Sequence, residues 1–156
     1  MRVTATQSRT GQSAEAVTDR ILIVSGDPET VLVLSLILVE LGEVRVVAAF
    51  DEAIAALYEF EPDMVLVDLR MHVPQVLDLV RSLRSPVEVF LPVLILCEES
   101  TKSTRDTALL LGASDFLNRP LDRTEVVVRA RNLLLTRRLY LDLMGLTDAE
   151  DEPPIR

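Results

Sequence analysis

An acidic residue, Asp68, closes the aliphatic run in the middle of the stretch Pro62-Asp63-Met64-Val65-Leu66-Val67-Asp68-Leu69-Arg70-Met71. The middle of this stretch is an unbroken run of β-favouring aliphatics, too short for a helix and too continuous for a half-exposed strand. It reads as a central strand of a parallel sheet with both faces covered. In open α/β sheets, ligands and chemistry gather at the carboxyl ends of strands, so position alone makes Asp68 a site candidate. The plainer reading is that Asp68 caps a loop. A second acid, Asp27, follows the aliphatic run Ile21-Leu22-Ile23-Val24. It precedes Pro28 and Glu29, an order that suits a helix N-cap with proline in the first turn and an acid near the positive end of the dipole. Cys97 closes a third apolar run, Leu91 to Cys97. It is read as a small buried hydrophobe in preference to a redox thiol.

The elements that must position these residues follow from the same pattern. Met1 to Asp19 is polar and without periodicity, a tail. Arg20 to Ser25 is a buried strand. The helix opened by Asp27 is expected to run to about Leu41 and to stop at a C-terminal cap, Gly42. Val44 to Ala48 is the second strand, and Asp51 is expected to cap a helix from Glu52 to about Phe60, ended by Pro62. The third strand is Asp63 to Asp68 and the third helix Gln75 to Arg84. Leu91 to Cys97 is the fourth strand. Ser100 to Leu111 is the fourth helix, closed by Gly112. Asp115 to Leu117 is a short fifth strand, leading through Asn118-Arg119-Pro120 to Asp122, which caps a long fifth helix reaching about Leu143. The domain is thus expected over residues 20–144, with residues 145–156 an acidic disordered tail. Five alternating strands and helices predict a doubly wound parallel sheet of flavodoxin-like order 2-1-3-4-5, helices on both faces. Its switch point lies between the first and third strands, which places Ser25 to Asp27 beside Asp68.

Composition excludes several classes. The net charge of −9 argues against nucleic acid held on a broad basic surface. Only 4% of residues are aromatic, so the core is aliphatic. A single cysteine rules out an internal disulfide and fits a reducing cytoplasm. The N-terminal residues lack the apolar block of a signal peptide. The most apolar run, Val31 to Val39, is far short of the roughly 20 residues of a membrane span. A cytoplasmic protein is expected.

Taken together, I-L-I-V-S-G-D-P, P-D-M-V-L-V-D-L-R-M, P-V-L-I-L-C and G-A-S-D-F-L-N-R-P resemble, in order and spacing, the receiver domain of bacterial two-component response regulators over about Arg20 to Leu141. The resemblance implies that Asp68 is the phospho-acceptor position and Arg119-Pro120 the family's Lys-Pro pair, where the proline follows a cis peptide bond. It also implies an acidic pair at the end of the first strand, where this chain has Ser25 and Gly26. Phosphoryl transfer to a carboxylate needs a magnesium ion to neutralise the transferring oxygens, and magnesium wants oxygen ligands. Asp27, one residue late, is read as the helix cap. The switch hydroxyl is Cys97, a far weaker donor. Glu98 replaces a small residue and would repel phosphate, and Arg119 keeps the lysine's charge without its compact geometry. An Asp68–Arg119 ion pair would hold such a site in one state. The only histidine, His72, replaces a proline after the acceptor and is read as a solvated loop residue.

These departures predict a pseudo-receiver that is not an enzyme, needs no cofactor or metal, and serves as a phosphorylation-independent protein–protein adaptor in a two-component or phosphorelay pathway. The alternative is a conventional receiver phosphorylated on Asp68 by a histidine kinase, with magnesium held by Asp27 and Asp68. A nucleotide- or flavin-binding domain of the same topology is disfavoured, because the Ser25-Gly26-Asp27-Pro28 turn has no glycine-rich phosphate cradle. No effector domain is evident after the fifth helix. Two faces are expected to meet partners. In receivers, histidine kinases and phosphotransfer proteins approach the first helix, which is apolar all round; Val31, Leu34 and Leu38 are its candidate contacts. The fourth helix, fifth strand and fifth helix carry Arg105, Asp115 and Arg129, where a receiver subfamily places inter-subunit charges. With Leu110 and Phe116 they suggest a homodimer, although ordinary solvated charges read equally well.

Overall fold

The computed structural model describes residues 18–70, 73–84, 90–98 and 102–145. The predicted tails, His72 and the predicted helix start at Ser100 lie outside these residues, apart from Thr18, Asp19 and Gly145 at the tails' inner ends. In chain order the elements are β1 (Asp19–Val24), α1 (Pro28–Leu38), β2 (Gly42–Val47), α2 (Phe50–Glu59), β3 (Met64–Asp68), α3 (Val73–Arg84), β4 (Val93–Cys97), α4 (Lys102–Leu111), β5 (Asp115–Asn118) and α5 (Arg123–Leu143). The five strands form one parallel sheet of order β2-β1-β3-β4-β5, as predicted.

Successive residues of a strand point to opposite faces, and both faces are dry here. Ile21, Ile23, Met64, Leu66, Leu94 and Leu96 join Leu34, Ile37 and Leu38 of α1 and Val126, Val127, Ala130 and Leu134 of α5 in one layer. Leu22, Val24, Val65, Val67, Val93 and Ile95 pack on α2, α3 and α4 in the other. This is why β3 and β4 read as continuous aliphatic runs: every residue of both is buried.

Several local expectations need correction. α1 ends at Leu38 with Val39 as its cap, so Gly42 does not terminate it. Gly42 opens β2, paired with Asp19, and a Cβ there would lie 2.2 Å from the Asp19 carbonyl oxygen. Close approach of two strands, not a left-handed turn, demands the glycine. Asp51 is not a cap either. Ala49 holds that position without a side-chain bond, because the helix starts at Phe50, which packs against the core. Glu52 instead reaches back to the Ala48 N–H at 3.2 Å. Asp122 does cap α5, accepting from the Glu125 N–H, and Gly112 (φ 111°) follows α4 in the left-handed region.

At the sheet's other end, α5 is fastened by charge. Arg137, only 5% exposed in its side chain, donates to Asp63 at 3.1 Å and to the Phe90 carbonyl. Arg138 pairs with Asp19. Asp63 also accepts the Arg20 N–H at 2.9 Å, so one carboxylate ties β1, β3 and α5 together.

Candidate functional site

β3 delivers Asp68 to the carboxyl edge of the sheet, fully buried. Both of its oxygens are engaged. Oδ2 accepts from Ser25 Oγ at 2.8 Å and from Arg119 Nη2 at 3.0 Å, and Oδ1 accepts from the Arg70 backbone N–H at 2.9 Å. The switch point thus does set the end of β1 beside the end of β3. Ser25, itself buried, accepts the Asp27 N–H at 3.2 Å, so it is a neutral partner to Asp68 where the resemblance implies a like-charged one. Gly26 supplies no side chain. A Cβ there would meet only the Ala48 carbonyl oxygen at 3.8 Å, so space does not demand the glycine.

Asp27 is the N-cap of α1, as Pro28 implied. Its Oδ2 accepts the Thr30 N–H at 3.0 Å, the Thr30 hydroxyl at 2.5 Å and Arg70 Nη1 at 3.2 Å. The Thr30 hydroxyl bond, then the Thr30 N–H, hold its carboxyl below the usual value. Arg119 is carried into the site by the turn after β5, where its peptide bond to Pro120 is cis. One nitrogen, Nη2, serves both Asp68 and the Thr30 hydroxyl (2.8 Å), while Nη1 is buried without a hydrogen-bond partner among the described residues. Cys97 is fully buried in the α2–α3–α4 layer.

Two residues of the site were not singled out from sequence, Arg70 and Thr30. Arg70 Nε donates to Glu98 Oε1 at 2.8 Å, Nη2 donates to the same oxygen, and Nη1 reaches Asp27. The hydrogen bond to Glu98 raises the guanidinium's pKa further above its usual value. Glu98, expected to repel phosphate from the mouth of the site, is turned to Arg70 instead. The signal for Thr30 was its place three residues after the cap. For Arg70 there was only a basic residue two positions past the acid, since the reach of a long side chain between loops is not written in spacing. The open cleft, of about 740 Å³, is lined on its polar side by Asp27, Glu29, Thr30, Arg70, Glu98 and Arg119.

The donor set does not fit magnesium. Asp27, Asp68 and Glu98 all have oxygens directed at arginine, whereas the ion demands octahedral oxygen coordination. Among the described residues, no group of three or more His, Cys, Asp or Glu is disposed to hold a metal.

On the first helix, Leu34 and Leu38 are 0% exposed, and this corrects their assignment as partner contacts: they face the sheet and α5. Val31 is half-buried. The outward stripe is Leu32 (59% exposed), Leu36 (66%) and Val39 (63%), at the i, i+4, i+7 spacing of one helix face. On the second face, Phe116 is likewise buried, beneath the Arg105 guanidinium 5.0 Å from its ring. Arg129 pairs within the chain, with Asp115 at 2.8 Å and Glu125 at 3.1 Å. Leu110 is 88% exposed.

An aspartate at the tip of the central strand of a 2-1-3-4-5 sheet, faced by a cation preceding a cis proline, defines the signal-receiver class. The family model of the response regulator receiver domain matches residues 21–131, and the chain belongs to that family. It is 32% identical over 116 residues to the transcriptional regulatory protein TrcR of Mycobacterium tuberculosis, covering 74% of this chain and 45% of that protein. It is 30% identical to the DNA-binding response regulator MtrA of Mycolicibacterium smegmatis, covering 86% and 59%. The chain therefore spans about half the length of these curated relatives. Among solved structures, a putative response regulator from Chloroflexus aurantiacus superposes with TM-score 0.69 at 30% identity, covering 76% of this chain and 98% of that one. The chemotaxis response regulator CheY4 of Vibrio cholerae, at 22% identity, has the same fold (TM-score 0.67, covering 74% and 98%). No helix among the described residues is long and apolar enough to cross a membrane.

Proposed function

We propose that this receiver is a phosphorylation-independent protein–protein adaptor of a two-component or phosphorelay pathway, working in the cytoplasm. The observation that carries this reading is the engagement of both Asp68 oxygens: Ser25 and Arg119 share Oδ2, and the Arg70 N–H holds Oδ1, about three of the carboxylate's four lone-pair sites. A carboxylate nucleophile must present a free lone pair in line with the phosphorus, beside a metal that neutralises the transferring oxygens. Here two arginines pair with the site's three carboxylates, Asp27, Asp68 and Glu98. Partners of the kinase or phosphotransfer type dock on the outward stripe of α1, Leu32, Leu36 and Val39, which is free of charge. A homodimer forms through α4, β5 and α5 with Leu110 at its apolar centre. A second reading, phosphorylation of Asp68 by a histidine kinase, is favoured by the Asp68–Arg119 pair, which keeps an acceptor and a cation in contact. Intact-protein mass after incubation with magnesium and a small-molecule phosphodonor separates the two. No adduct is expected; a phosphoryl mass shift that disappears in Asp68→Asn overturns the adaptor reading.

A further inference from the structure

Arg70 joins three loops that the sheet alone leaves separate. Its backbone N–H holds Asp68 Oδ1 at the end of β3. Its guanidinium reaches Asp27 after β1 at 3.2 Å and Glu98 after β4 at 2.8 Å. Packing does not explain the side chain's course, since it is 41% exposed and belongs to neither core cluster. Charge does. Three carboxylates, Asp27, Asp68 and Glu98, are met by two guanidiniums, a balance of −1 among these five groups, to which Glu29 adds a further negative charge on the cleft wall. Arg119 is spent on Asp68, which leaves Asp27 and Glu98 to Arg70.

We propose that Arg70 is the site's built-in counter-ion: a tethered guanidinium that takes the electrostatic place of a divalent cation among Asp27, Asp68 and Glu98, and so makes the arrangement of the three loops independent of such ions. This deepens the adaptor reading and rests on it. A guanidinium offers a planar fork of N–H donors, which suits two carboxylates approaching from different loops. Being covalently attached, it is present at a high effective concentration whatever the ionic composition outside. An incoming magnesium or manganese ion meets lone pairs already directed at N–H groups and a positive charge in its way. Without the guanidinium the balance of these groups falls to −2, with Arg119 the only cation left among the described residues that line the cleft.

The test uses the full chain and divalent ions alone. Manganese binding is followed by water-proton relaxation, and the melting temperature is compared in magnesium and in chelator, for wild type, Arg70→Ala, Arg70→Lys and Arg70→Ala/Glu98→Gln. Far-UV circular dichroism checks that each is folded. Wild type and Arg70→Lys are expected to show no saturable manganese binding and equal melting temperatures in the two buffers. Arg70→Ala is expected to gain saturable binding, with an affinity about tenfold or more above the upper bound set for wild type, following the loss of one adjacent positive charge, and to melt higher in magnesium. Adding Glu98→Gln should remove most of that gain. Manganese binding by wild type as tight as by Arg70→Ala overturns the proposal, as does a folded Arg70→Ala or Arg70→Lys without the expected contrast. A phosphoryl adduct on wild-type Asp68 would instead sink the adaptor reading, so the two failures are told apart.

Discussion

Asp68 and Arg119 meet at 3.0 Å with the carboxylate 1% and the arginine side chain 13% exposed, so the carboxylate has no water to fall back on and the guanidinium little. Pairing in such a place does not guarantee net stabilisation, because two desolvation costs stand against one attraction. Removing one partner, however, leaves a buried charge uncompensated, at a typical cost of roughly 3–5 kcal/mol. Asp68→Ala and Arg119→Ala are each expected to lose stability on that scale, and the double variant to lose less than their sum by about 1 kcal/mol or more. Urea unfolding of the four proteins measures the coupling, and strict additivity would show that the pair does not act as a unit.

Asp27 predicts a dependence on acid. Hydrogen bonds from Thr30 lower its folded pKa below the ordinary 3.8, so the folded state binds this proton less readily than the unfolded one. The stabilisation is therefore fully present above 3.8 and is lost as pH falls through the folded value. Asp27→Asn keeps a competent N-cap but has no proton to bind. The stability gap between wild type and Asp27→Asn, from denaturant melts at neutral and acid pH, should narrow below 3.8. A constant gap would assign the carboxylate no acid sensitivity.

The two sides of α1 should respond oppositely. Leu32→Glu and Leu36→Glu change an outward face, where effects on stability are expected within about 0.5 kcal/mol. Leu34→Ala opens a cavity against the sheet and should cost roughly 2–5 kcal/mol. If the outward stripe is the docking face, the Leu32→Glu/Leu36→Glu protein melts like wild type yet fails to recover wild type's partners in pull-downs. Equal recovery by that folded variant would place docking elsewhere.

Arg129 and Asp115 already pair within the chain, so apolar burial must supply most of any self-association across α4, β5 and α5. Sedimentation at micromolar concentration is expected to show a dimer weakened by Leu110→Glu. A strict monomer for wild type removes the interface.

The strands and the Asp27 cap were legible because each is written locally, in a continuous aliphatic run or in the Asp-Pro dipeptide; the strand order followed from the alternation of elements, and the cis proline from the family resemblance. Gly42 misled because glycine serves two ends, a left-handed turn or room for a neighbouring strand, and sequence alone does not say which. Leu34 and Leu38 misled because a helix with one polar position in nine leaves its rotation unmarked; only contact with the sheet fixes it. Phe116 is buried because helices cover both faces of β5: it packs in the α2–α3–α4 layer while its neighbour Leu117 packs in the other, a cover the charges around it concealed. Arg70 stayed hidden for the opposite reason. Its backbone position was plain, but its function is exercised at the far end of a flexible side chain.

The anchorage of Arg137 on Asp63 has a mechanical consequence. α5 is pinned where β1 and β3 begin, and its face from Val126 to Leu134 is packed on the sheet, so Arg137 is the fixed end from which any tilt of the helix would be measured. Arg123 stands 14 residues away, a lever arm of about 21 Å. A tilt of about 5° would displace the helix start by about 2 Å, beside the turn that holds Arg119 against Asp68. Contact far from the cleft would then arrive there as a pull on one ion pair.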